Sequence, residues 1–125
     1  MRQKLDVPGL QSVHQNVFDL GPEKFDVGLS SGGLYHLSDP EALLKLLRDR
    51  VRVLVVLSSV SQRSDSPEHL VTPAPGWRHG SAFSREWLAA AAQRAGWQIV
   101  QRDAFAYTDA MFDGKLEGVE LLLCK

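Results

Sequence analysis

A single cysteine in 125 residues excludes an internal disulfide, and with it any scaffold held together by disulfide staples. That residue, Cys124, lies in the apolar run VELLLC, where it reads as a small buried hydrophobe rather than a reactive thiol. No apolar stretch approaches the roughly 20 residues that cross a bilayer, and the N-terminal MRQKLDVPG lacks the apolar core of a signal peptide. A soluble, cytoplasmic protein with no membrane partner is the expectation. Charge of one sign is lacking too. The chain has 14 Lys and Arg against 15 Asp and Glu, a formal net charge of -1, and its basic residues are scattered, which argues against a nucleic-acid partner. His14, His36, His69 and His79 show neither an i,i+4 pair nor a cysteine at ligand spacing, so no metal site is expected. Neither the P-loop nor G-x-G-x-x-G occurs, which leaves phosphate cradling without a signature.

What is present suits one core: 44% of the residues are hydrophobic, ample for a single domain over residues 1–125. Arg2 to Asp6 carries a helical fragment ended by Pro8-Gly9, and Val13 to Phe18 reads as a short strand. Phe25 to Leu29 reads as a buried strand between Gly21-Pro22 and Gly32-Gly33. Asp39, Pro40 and Glu41 then supply a cap, a first-turn proline and an acid at the positive end of a helix. Ala42, Leu43, Leu46 and Leu47 form its apolar stripe. Val51 to Val60 is β-branched and apolar nearly throughout, as in a strand covered on both faces. A second helix starts near Ser84, carries Trp87, Leu88, Ala91, Ala92 and Ala95 inward, and ends at Gly96. Strands Trp97 to Ala106 and Gly118 to Cys124 follow. The order strand–helix–strand–helix–strand predicts an α/β fold with a mostly parallel sheet. The last strand, reached without a helix, is expected to pair antiparallel.

Ser61 to Phe83 is far longer than an ordinary strand-to-helix connection. It holds three prolines and an exposed-looking Trp77. A lid over the C-terminal edge of the sheet is the expectation, since open α/β sheets bind ligands there.

Gly28-Leu29-Ser30-Ser31-Gly32 matches G-x-S-x-G, the nucleophile elbow of α/β-hydrolases, and Asp65 with His69 or His79 would keep the acid-histidine order. An elbow passes directly into a helix, however, whereas here the helix waits until about Asp39. The chain is also short for a hydrolase sheet. The serines are therefore not read as nucleophiles.

The stretch VHQNVFDLGPEKFDVGLSSGGLYHLSDPEALL resembles the middle of class I S-adenosylmethionine-dependent methyltransferases. The strand VRVLVVLSSV, a long loop, the helix SREWLAAAAQRAGW and a terminal strand pair continue the likeness over nearly the whole chain. The resemblance implies a Rossmann-like sheet, S-adenosylmethionine as cofactor and methyl transfer to a small-molecule acceptor. It also implies residue roles. Asn16 stands where the family usually has an Asp that meets the adenine amino group, and Val17 would lie against the adenine ring. Ser30, Ser31 and Gly32 would end the strand beside the methionine part. Tyr35 and His36 would face the acceptor, with His36 a candidate general base. Trp77 and His79 are substrate-pocket candidates from the long loop.

The family's opening strand and glycine-rich loop have no counterpart before Val13. The expectation is an N-terminally truncated half-domain, whose strand Phe25 to Leu29 presents an open apolar edge. Such an edge invites self-association or a complementary chain. The alternative reading is a non-catalytic binding or assembly module that uses this edge.

Overall fold

The computed structural model describes residues 8–60, 68–73, 77–106 and 118–125. The helical fragment expected at Arg2 to Asp6 lies outside them. So do residues 61–67 and 74–76 of the long connection, with Asp65.

The first helix, α1 (Pro40–Arg48), begins as its sequence dictates. The Asp39 carboxylate accepts the Ala42 N–H at 3.2 Å, and Pro40 occupies the first turn. The second, α2 (Arg85–Arg94), is capped by Ser84, whose hydroxyl accepts the Trp87 N–H at 3.1 Å. It closes at Gly96, whose φ of +97° is one that L side chains rarely adopt. Strands β1 (Phe25–Ser31) and β2 (Val51–Val60) flank α1. The short strands β3 (His69–Leu70) and β4 (Ala82–Phe83) pair antiparallel with each other. Strands β5 (Ile99–Ala106) and β6 (Gly118–Cys124) complete the main sheet.

The main sheet has the order β1-β2-β6-β5. β1 and β2 are parallel, while β6 runs antiparallel to both β2 and β5. The fold is thus α/β and Rossmann-like, with the terminal strand antiparallel as expected. β6 is inserted centrally, so among the described residues β1 and β5 are the edges.

Both helices pack on one face. Leu54, Val56 and Val60 of β2 and Leu122 and Cys124 of β6 form one core with Leu43 and Leu44 of α1 and Leu88, Ala91 and Ala92 of α2. Arg94 of α2 pairs with Glu41 of α1 at 2.6 Å, and the Trp97 indole donates to the Leu44 carbonyl at 3.0 Å. The opposite face carries Val53, Val55, Leu57, Leu121 and Leu123, all half-buried, and Val27 and Leu29, which are exposed. No helix among the described residues covers it, so β2 is fully buried on one face only. The expectation of cover on both faces is corrected accordingly.

Two further expectations are corrected. Val13 to Phe18 forms no strand. Val17–Asp19 is instead a turn of 3-10 helix in which the Asn16 side chain accepts the Phe18 N–H at 3.0 Å. A strand needs a neighbour to take its backbone groups, and here a local side-chain bond takes one of them first. Trp97 precedes β5 rather than opening it. Its N–H bonds back to the Ala92 carbonyl at 3.0 Å, and its ring is buried beneath the helices.

Candidate functional site

At the C-terminal end of β1 a cleft of about 320 Å³ is lined by Val17, Leu29, Ser30, Ser31, Gly33, Leu37, Leu43 and Leu47. Leu29 and Ser30 are consecutive and so point to opposite faces of the sheet. The cleft therefore runs along the free edge of β1. Its walls are apolar apart from the two serines, and its size lies at the lower end of the range for small-molecule sites.

Chain geometry sets each wall. Gly32, with φ of +67°, turns the chain out of β1 while its N–H donates to the Leu57 carbonyl at 2.8 Å. This turn leaves Ser30, Ser31 and Gly33 at the cleft instead of in a longer strand. Leu43 and Leu47, one helical turn apart on α1, make the opposite wall. Val17 enters from the 3-10 turn and packs against the core. Asn16 beside it is exposed. Its Oδ1 is engaged by Phe18, which leaves one carbonyl lone pair and the amide N–H groups for another partner.

A second group of residues lies just past the strand. Leu34–His36 is a 3-10 turn whose Leu34 is buried. The His36 ring lies 4.1 Å from Tyr35 and 4.2 Å from Trp77, measured between ring centroids. Its Nδ1 is buried without a hydrogen-bond partner, whereas Trp77 is 59% exposed. The long connection is tied down here. The Ser81 N–H donates to the Tyr35 carbonyl at 2.9 Å, and the Ser81 hydroxyl to the Leu37 carbonyl at 2.8 Å. At its other end the N–H of Glu68 donates to the Ser84 hydroxyl at 3.0 Å, and His69 stacks on Trp87 at 4.3 Å.

Of the residues singled out by sequence, Val17, Ser30 and Ser31 meet in the cleft, Gly32 forms its hinge, and Asn16 adjoins it. Tyr35, His36 and Trp77 meet in the aromatic group. His79 is exposed, and among the described residues no ring contact or hydrogen bond joins it to that group. Leu29, Leu37, Leu43 and Leu47 were not foreseen as lining residues: Leu43 and Leu47 satisfy the helix stripe, Leu37 packs against the core, and Leu29 reads as an ordinary strand residue. Among the described residues no group of three or more metal-ligating side chains occurs, and no helix is long and apolar enough to cross a membrane.

No family model matches the sequence, and no curated protein matches it. Solved structures match by shape. The N-terminal domain of EvdMO1, crystallised with S-adenosylhomocysteine and D-fucose, superposes with a TM-score of 0.60 at 22% identity over 88% of this chain and 52% of its own. An S-adenosylmethionine-dependent methyltransferase from Mesorhizobium loti gives 0.61 at 14% identity, over 89% of this chain and 67% of its own. SpnF, a cyclase, gives 0.65 at 15% identity, over 89% of this chain and 54% of its own. The fold is therefore that of the class I S-adenosylmethionine-dependent methyltransferases. This chain spans about half the length of EvdMO1's domain. SpnF shows that the same fold hosts another reaction, so shape alone does not assign the chemistry.

Proposed function

We propose that the chain is the acceptor-side half of a cytoplasmic methyltransferase, active on a small-molecule acceptor when the rest of the cofactor site is supplied. The observation that carries this reading is the cleft at the C-terminal end of β1, where Val17 and the two serines converge on the edge that open α/β sheets use for ligands. Apolar walls with two hydroxyls at one end fit a ligand that joins a flat base to a polar tail. S-adenosylmethionine, when bound, supplies a methyl group already activated on a sulfonium.

In this reading Val17 packs against the adenine, and Asn16 offers its remaining carbonyl lone pair to the adenine amino group. Ser30, Ser31 and Gly32 border the methionine part. Tyr35 and His36 face the acceptor, and His36 takes the acceptor's proton as the methyl group arrives, a task suited to an imidazole near neutral pH. Trp77 and His79 border the acceptor pocket. The chain contributes chiefly orientation. Calorimetric titration of the folded chain with S-adenosylhomocysteine tests the cofactor half. Binding heat is expected, and V17D should weaken binding roughly tenfold or more by placing a charge against the base. Absence of heat at every concentration that keeps the chain folded overturns autonomous cofactor binding.

A second reading, a binding or assembly module, is favoured by one observation. Among the described residues β1 is paired with one strand only, and its Val27 and Leu29 are 61% and 69% exposed.

A further inference from the structure

We propose that Ser81 is a positioning residue for His36, aiming the imidazole by clamping the backbone on both of its flanks. The inference rests on the reading of His36 as the group that takes the acceptor's proton, and adds the residue that orients it.

The Nδ1 of His36 is buried, and no described residue hydrogen-bonds to it. A histidine that moves a proton is ordinarily turned by a hydrogen bond to one ring nitrogen, which fixes both tautomer and direction. With no such bond at Nδ1, direction has to come from the rings against the imidazole and from the backbone beneath it. Tyr35 and Trp77 supply the rings, tilted by 41° and 43° to the imidazole. Contacts of this kind restrict a ring but do not hold the backbone that carries it.

That backbone is a single 3-10 turn, whose hydrogen bonds are poorly aligned and whose hold is weak by itself. Its own bonds use the N–H groups of His36 and Leu37, which donate to the Gly33 and Leu34 carbonyls at 3.2 and 3.1 Å. The carbonyls of Tyr35 and Leu37, one on each flank of His36, are left over as at any helix end. Ser81 takes both. Its N–H donates to the first at 2.9 Å and its hydroxyl to the second at 2.8 Å, and the residue is only 4% exposed. Two bonds from one buried residue fix the chain before and after His36, and so set the direction in which its side chain leaves. The same clamp delivers the second ring. Trp77 stands four residues before Ser81, so the chain between them spans at most about 14 Å. Releasing the hydroxyl bond therefore frees one flank of His36 and slackens Trp77 with it. Misplacement of a reacting group by about 1 Å can cost about a hundredfold in rate, which is the scale on which this clamp bears on proton transfer.

Nuclear magnetic resonance of the folded chain, with histidine and tryptophan side chains labelled, reads the placement of the ring directly. In the parent, cross-relaxation peaks should join His36 to Trp77 and to Tyr35. S81A removes the hydroxyl bond and keeps the backbone one. The His36–Trp77 peaks should then be lost, and the His36 ring protons should leave their parent shifts. The stack of His69 on Trp87, at the other end of the connection, is the internal control. A merely structural Ser81 would loosen both ends alike, so the His69–Trp87 peaks should persist. Should S81A not fold, S81C takes its place, because a thiol fills the site of the hydroxyl but is only a weak donor. Unchanged His36 signals in the folded variant overturn the proposal, as does equal loss of the His69–Trp87 peaks. The outcome separates from that of the cofactor reading. His36 signals that move in a chain giving no heat with S-adenosylhomocysteine uphold the clamp and overturn autonomous cofactor binding. Heat with unmoved His36 signals does the reverse.

Discussion

Glu120 provides a quantitative test of how this fold is held together. It sits on β6 in the middle of the sheet with its side chain 0% exposed. Its Oε1 accepts from Arg102 Nε at 2.7 Å, and its Oε2 lies 3.2 Å from Arg85 Nε in the first turn of α2. The second contact lies outside hydrogen-bond geometry, so it acts as a charge pair only. E120Q keeps the shape and removes the charge. Breaking a buried pair by removing one partner costs about 3–5 kcal/mol. The arginines temper that figure, because the side chains of Arg102 and Arg85 are 30% and 42% exposed and can turn to water. Arg102 also keeps Glu86 at 3.4 Å. The expected loss is therefore about 2–3 kcal/mol, at or just below the lower end of that range. For a chain of this size that corresponds to a fall in Tm of roughly 10 °C. Urea unfolding followed by tryptophan fluorescence measures it, and a cycle with R102Q should give a coupling of about 1–3 kcal/mol. Replacing both partners with apolar residues, E120L with R102M, should recover most of the loss. A loss below about 0.5 kcal/mol for E120Q, with coupling near zero, would show that this network does not hold α2 to the sheet.

Two other groups make separable predictions. Burial pushes the Glu41 carboxyl up, but hydrogen bonds and charge from Arg94 and Lys45 outweigh it and hold the group below its ordinary value of 4.5. Its contribution to stability is full above that value and is lost as pH falls through the lower folded value. Denaturation midpoints of E41Q should accordingly fall less than those of the parent between neutral and acid pH, and equal acid slopes would refute the pairing. Burial pushes the Cys124 thiol up to about 11. A thiol reagent at neutral pH should therefore label the folded chain very slowly and the urea-unfolded chain at once, and rapid labelling of the folded chain would contradict its position in the core.

Much of the fold was legible where local chemistry and burial agree. Asp39-Pro40-Glu41 and Ser84 fix helix starts by capping alone, and Gly96 fixes an end through a conformation other residues avoid. Val51 to Val60 is apolar on both faces, so it reads as strand whatever surrounds it. Val13 to Phe18 has strand-like residues but no partner strand among the described residues, and partnership is invisible in a local pattern. The pairing of His69–Leu70 with Ala82–Phe83 joins residues far apart in the chain, with no adjacent turn signal. In the cleft, Val17, Ser30 and Ser31 could be located because the resemblance supplied positions for them. Leu43 and Leu47 could not, since an i,i+4 leucine pair looks the same whether it lines a cleft or fills a core.

The fastening of the long connection has a consequence for how such a protein can change. Ser81 is clipped to the carbonyls of Tyr35 and Leu37, and Glu68 to Ser84, so both ends are secured to parts of the body that fold for other reasons. Whatever is spliced in between Leu70 and Ser81 inherits those moorings, and altering its length carries only a slowly growing entropic cost. That interval is an exchangeable cassette. Grafting a different one there would vary what approaches His36 while leaving the sheet, both helices and the cleft untouched.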